Sequence, residues 1–151
     1  MAGESKFNII DQLPYGENFT FVDEIEEVST EHIRGNYTYR EEESFYADHF
    51  PEKPVTPGVI IVETLGQIGL VSLFIYIMNQ EKGITDFSHI KPVFTSCEVD
   101  FLKAVFPGEK VTVESKKIYF RLNKIKCYTE MKDNSGDLVC KGYFSGIYLE
   151  T

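Results

Sequence analysis

Residues 55–78 read VTPGVIIVETLGQIGLVSLFIYIM, an apolar run long enough to span a bilayer. No other stretch constrains the fold as much, because a helix apolar on nearly every side must be covered by something. A membrane is one such cover. Against it stand Glu63, Gln67 and the glycines Gly66 and Gly69, since a central carboxylate is costly in lipid. The flanking stretches are strand-like and need a core of their own. The pattern therefore predicts a helix buried on most sides inside a soluble domain. Thr56 as N-cap and Pro57 at the first helical position supply the start signal. The helix is expected to reach about Gln80 and to stop near Gly83.

The remaining segments say what covers it. Residues 7–12 read as a short helix. FTFVDEIEEVS (19–29) and HIRGNYTYR (32–40) read as strands, with β-branched and aromatic residues in rough alternation. EEESFYADHFPEKPV is an irregular connection, because Pro51 and Pro54 deny it a ladder. After the helix, strands are expected at 95–105, 110–121, 125–132 and 137–149, with turns at Pro107-Gly108 and Asp133-Asn134-Ser135-Gly136. This order lacks the strand–helix alternation of a parallel sheet. It predicts an α+β fold, one domain over residues 1–151, with a long central helix wrapped by a curled antiparallel sheet. The edges of such a sheet invite pairing with a second copy.

Composition narrows the function. With 42% hydrophobic and 14% aromatic residues the chain builds a real core. Acidic residues outnumber basic ones 24 to 15, for a net charge of −9, which argues against a general nucleic-acid binder. Cys97, Cys127 and Cys140 are odd in number and have no C-x-x-C spacing, and His32, His49 and His89 are far apart. Neither a disulfide framework nor a metal site is expected, and no cofactor is implied. MAGESKFNIIDQL lacks a charged segment followed by a long apolar run, so no signal peptide is expected and the default location is the cytoplasm.

Three elements around the helix start carry chemistry. His49 is a side chain that is neutral and basic near pH 7; its bland reading is a loop histidine held by a backbone hydrogen bond. Glu63 lies among apolar residues, where desolvation favours the protonated acid, a form that donates a proton. The bland alternative is a carboxylate bonded in the core, with Gln67, one turn on, as partner. Gly58 follows Pro57, which has no N–H, so Gly58 is the natural free donor at the positive end of the helix. A base, a protonated acid and an oxyanion donor fit proton abstraction next to a carbonyl, with a β-hydroxyl expelled as water.

The stretch HFPEKPVTPGVIIVETLGQ resembles the active-site signature of the β-hydroxyacyl-acyl-carrier-protein dehydratases of the FabZ type, related to FabA. QLPYGENFTFVDEI and DFLKAVFPGEKVTVE resemble two further segments of that family, so the likeness covers nearly the whole chain. The resemblance implies a hot-dog fold, dimers joined sheet edge to sheet edge and often assembled three to a hexamer, and an active site shared between subunits. It implies His49 as base, Glu63 as acid and Gly58 N–H on the thioester carbonyl. It further implies an acyl tunnel, for which Val59, Ile60, Gln67 and Phe101 are candidates, and an acidic acyl carrier protein as partner. Docking to that partner requires a local positive patch, and Lys53, Lys103, Arg121, Lys124 and Lys126 are the candidates.

The chain departs from the family pattern at three places. Asp48 and Glu52 stand where the family commonly has glycine, and LPYGEN lacks the His-Arg pair of the usual L-P-H-R. Two rival functions remain at this stage. One is an acyl thioesterase of the hot-dog fold; the other is a catalytically silent module that binds acyl carrier protein. The D-x-N-x-x-H motif of MaoC-type hydratases is absent from the sequence.

Overall fold

The computed structural model describes residues 7–151. Strands β1 (Glu24–Val28) and β2 (His32–Thr38) precede helix α1 (Gly58–Lys82). Strands β3 (Ile90–Phe101), β4 (Lys110–Arg121), β5 (Lys124–Asp133) and β6 (Leu138–Glu150) follow it. All pair antiparallel in one six-stranded sheet of order β1-β2-β4-β5-β6-β3. The helix packs Leu65, Ile68, Leu70, Leu73, Ile75 and Ile77 into a core shared with Val111, Val113, Cys127, Met131 and Phe144. This is the expected hot-dog arrangement. The most apolar window of α1, of mean hydropathy 2.0, is 72% buried by the sheet and its loops.

Close wrapping requires glycines on the helix. A Cβ on Gly66 would stand 2.1 Å from the Phe94 ring, and one on Gly69 would stand 2.7 Å from Thr129. Between Gln67 and Ser72 the helix loosens into a π turn. Two serines hold carbonyls there: Ser72 Oγ donates to Gln67 O and Ser115 Oγ to Gly69 O, each at 2.7 Å. Apolar spacing does not reveal this turn, because every residue in it is buried. Gly83, with φ of +67°, ends the helix as expected.

Several expected boundaries move, each for a physical reason. Pro57, not Thr56, is the N-cap, and Gly58 is the first helical residue. The Thr56 hydroxyl is already taken by the Tyr46 hydroxyl at 2.6 Å, and its N–H donates to Val105 O at 2.8 Å. Thr56 thus ties the connection before the helix to the one before β4, and caps nothing. Residues 19–23 are not strand; a 3₁₀ turn covers Glu17–Phe19. The backbone of Phe19 and Phe21 bonds the Gln67 side chain instead of a neighbouring strand. The early helix is one 3₁₀ turn, Ile10–Gln12, with Asn8 Oδ1 accepting from Ile10 N–H at 2.9 Å. Strand β3 starts at Ile90 and passes through Pro92. An edge strand tolerates a missing N–H.

Candidate active site

His49 sits at the turn between the 3₁₀ helix Ser44–Ala47 and α1. Its own carbonyl accepts from Val55 N–H at 2.9 Å, and Phe50 and Lys53 exchange backbone bonds of 3.3 and 3.0 Å, closing a small loop. The His49–Phe50 peptide is cis, and Glu52 has φ of +69°. The imidazole is partly buried and stacks on Phe50, with ring centres 4.2 Å apart. Its Nδ1 lies 2.9 Å from Val55 O. A carbonyl only accepts, so Nδ1 carries a proton in this bond. In the neutral ring Nε2 then bears the free lone pair. The backbone bond, the bland reading of this histidine, thus leaves Nε2 as the ring nitrogen able to accept a proton.

The start of α1 supplies donors. Pro57 O accepts from Ile60 and Ile61 N–H at 3.0 and 3.1 Å. The N–H groups of Gly58 and Val59 find no acceptor among the described residues. The Phe101 ring lies over Gly58, 3.4 Å from where a Cβ would stand. Phe101 therefore lines the approach to this helix end.

Glu63, one turn further, is partly buried. Burial pushes its carboxyl above the ordinary glutamate value, against the opposing effect of a hydrogen bond from Gln67. That bond, Gln67 Nε2 to Glu63 Oε2, is 2.9 Å. Gln67 is fully buried, and its amide is used at both ends: Nε2 also donates to Phe19 O at 2.9 Å, and Oε1 accepts from Phe21 N–H at 2.8 Å. The backbone partners fix which way the amide points. It must offer an N–H to Glu63, so Oε2 is the accepting oxygen, and whenever the carboxyl is protonated the proton lies on Oε1. Sequence spacing identified the Glu63–Gln67 pair but not the anchoring strip at 19–21, which is distant in the chain. Burial, with the charge of Glu63 as a lesser cause, drives the Tyr15 phenol well above the ordinary tyrosine value.

The other candidates lie on several different elements. Val59 is 76% exposed, one turn ahead of Glu63, while Ile60 packs partly into the core. Lys53 is exposed in the loop after His49. Lys103 binds Asp133 and Asp137 at 2.5 and 2.8 Å, so its charge is already offset. Arg121 lies over the Tyr119 ring and Lys126 over Tyr143, while Lys124 is exposed at the start of β5.

At 13% identity the fold is shared with the dehydratase heterocomplex ApeI:P of Xenorhabdus doucetiae, with a TM-score of 0.79 over 97% of this chain and 94% of that one. It is also shared with a hypothetical thioesterase of Streptococcus pneumoniae bound to coenzyme A, with a TM-score of 0.60 over 85% and 86% of the two chains, again at 13% identity. In sequence, the chain is 32% identical to the 3-hydroxyacyl-[acyl-carrier-protein] dehydratase FabZ of Caldicellulosiruptor bescii over 138 residues, covering 89% of this chain and 91% of the relative. A family model for the FabA-like domain matches residues 13–141, and the chain belongs to that family.

Proposed function

We propose that this protein is a 3-hydroxyacyl-acyl-carrier-protein dehydratase, converting a (3R)-3-hydroxyacyl thioester to the trans-2-enoyl thioester in the cytoplasm. The observation that carries the reading is the setting of Glu63: partly buried, its carboxyl pushed above the ordinary glutamate value by desolvation, and held by Gln67 on Oε2 so that Oε1 stays open to a substrate. His49 Nε2 removes the α-proton. The C–H electrons form the new C=C bond through an enolate whose oxygen takes the Gly58 N–H. The C–O bond breaks as Glu63 Oε1 delivers its proton, and water leaves. Exchange with solvent then returns His49 to the neutral form and Glu63 to the acid. A thioesterase needs an activated water and no acid aimed at a β-hydroxyl, so it makes less use of this arrangement.

The site is completed by a second copy. Of the two sheet edges, β1 is short and acidic, whereas β3 runs for 12 residues. Val59, Phe101 and Leu102, all exposed, lie at or beside the helix start and the end of β3. Pairing along β3 covers this apolar surface and brings His49 of one subunit toward Glu63 of the other; three such dimers make the hexamer that the family resemblance implies. The acyl chain runs past Val59, Ile60 and Phe101, with Gln67 behind the acid. The carrier protein docks on Lys53 and on the cations Arg121, Lys124 and Lys126.

The test uses purified protein with 3-hydroxyacyl thioesters of several lengths, following enoyl product and free thiol together. Enoyl product without thiol is expected; thiol without enoyl product would replace the dehydratase with a thioesterase. Mixing His49→Ala with Glu63→Ala subunits should restore part of the activity. No rescue in verified mixed dimers would rule out shared sites.

A further inference from the structure

Thr56 caps nothing, and the dehydration scheme gives it no part. Its hydroxyl is nonetheless committed. Thr56 Oγ1 and the Tyr46 hydroxyl lie 2.6 Å apart, and both residues are buried, each only 4% exposed. The pair is one rung of a small ladder built round His49. His49 N–H donates to Phe45 O at 3.0 Å, and His49 O accepts from Val55 N–H at 2.9 Å. Its Nδ1 meets Val55 O, also at 2.9 Å. Tyr46 follows Phe45 and Thr56 follows Val55, so the hydroxyl pair joins the two residues next to the backbone partners of His49. The Phe45 and Tyr46 rings pack edge-on, 4.7 Å apart. Thr56 N–H donates to Val105 O at 2.8 Å, which ties the rung to the segment before β4. Beyond Thr56, Pro57 has the restricted φ of its ring. Gly58 comes next, and its N–H finds no acceptor among the described residues.

We infer that Tyr46 and Thr56 are positioning residues: their hydroxyl pair holds the Val55 carbonyl that orients the His49 imidazole, and with it the approach to the Gly58 N–H, so that base and oxyanion donor sit in one frame. Residues 50–53, which join His49 to this frame, are exposed, so solvent-side packing does not press Val55 onto the imidazole. The buried pair at the next residue supplies the constraint. A buried hydrogen bond is directional and costly to leave unmade. Neither hydroxyl exchanges a proton in this role. Burial pushes the Tyr46 phenol up to about 12, so it stays neutral at working pH. Misplacing a reacting group by about 1 Å costs roughly a hundredfold in rate, so a small slackening of this rung is enough to be read in turnover. The inference rests on His49 as the base of the proposed reaction.

The experiment compares wild type with Tyr46→Phe, Thr56→Val, their double variant, and Thr56→Ser. Phenylalanine and valine each delete one hydroxyl at nearly constant volume, and serine keeps it. ¹⁵N NMR of the imidazoles, at a pH where the ring is neutral and with His49→Asn assigning the signal, reads the tautomer. Wild type and Thr56→Ser should show well-separated signals for a protonated Nδ1 and a bare Nε2. In Tyr46→Phe and Thr56→Val the two signals should draw together as the ring exchanges tautomers. In both, kcat should fall about tenfold or more with KM held within about twofold. The double variant should lose little more than the worse single variant, because the two hydroxyls act as one bond. Thr56→Val gives both readings even where Tyr46→Phe does not fold. Unchanged kcat in the hydroxyl-deletion variants overturns the inference. So does a fall in kcat that leaves the imidazole signals as in wild type, or losses that multiply in the double variant. The tautomer is read without turnover. Signals that draw together in a protein that dehydrates nothing therefore leave the pair as the positioner of His49 and remove the dehydratase.

Discussion

Gln67 donates a 2.9 Å hydrogen bond to Glu63 one helical turn back, and the direction of that bond is imposed by the backbone of Phe19 and Phe21. The amide cannot flip without setting its N–H against Phe21 N–H and its oxygen against Phe19 O. The carboxyl is thereby held with one oxygen occupied and the other free, by a side chain whose own direction is set by backbone distant in the chain.

Gln67→Met tests this anchor. It leaves Phe19 O and Phe21 N–H without their partner, and two unpaired buried backbone groups cost about 2–4 kcal/mol, measured by urea unfolding. The lost bond had favoured the charged form of Glu63. The alkaline limb of kcat/KM in this variant should therefore move to higher pH even as the rate falls. A limb displaced to lower pH would contradict the anchor's sign.

Glu63 itself links stability to pH. Its folded pKa is raised by burial, so the native state favours the protonated form. Stability is full below the ordinary glutamate value of about 4.3 and is lost as pH rises through the raised folded value. Glu63→Gln has no charge to bury. It should melt with the wild type in acid and above it at neutral pH, while dehydrating nothing. Melting curves from acid to neutral pH decide this, and equal midpoints throughout would mean that Glu63 is not desolvated.

His49→Asn separates the loop's architecture from its chemistry. The asparagine Nδ2 takes over the bond to Val55 O that His49 Nδ1 makes, so stability should change by less than about 1 kcal/mol. The Nε2 lone pair is gone, and dehydration should fall by roughly a hundredfold to ten-thousandfold. Near-wild-type turnover would remove His49 from the reaction.

Glu52→Gly should stabilise the protein. A non-glycine residue in the left-handed region costs about 1–2 kcal/mol, and the added freedom of glycine in the unfolded chain returns about 0.5–1 kcal/mol of that. The net gain is about 0.5–1 kcal/mol, read by chemical denaturation. The family's glycine at this position matches the observed φ of +69°. Asp48, at φ −106°, needs no glycine. Loss of stability in Glu52→Gly would show that the acid makes a contact worth more than the strain.

Much of this protein was legible in its sequence because the signals were local. The apolar run and its glycines announced a wrapped helix, and period-two patterns located β4 almost to the residue. Glu63 and Gln67 fall on one helix face by spacing alone, and Pro57 leaves Gly58 as a free donor wherever the cap lies. Features that depend on partners distant in the chain were not legible. Thr56 looks like a cap until Tyr46 claims its hydroxyl, and residues 19–23 look like strand until Gln67 claims their backbone.

Periodicity, proline placement and the HFPEKPVTPGVIIVETLGQ stretch determined the fold class and which groups are the candidates for chemistry, because those follow from neighbours within a turn or two. Tertiary packing decided the state of those groups. Val55 selected the imidazole tautomer, and the 19–21 strip selected the free oxygen of Glu63. Desolvation and hydrogen-bond direction are properties of what surrounds a side chain in space, and only the folded chain brings those surroundings together.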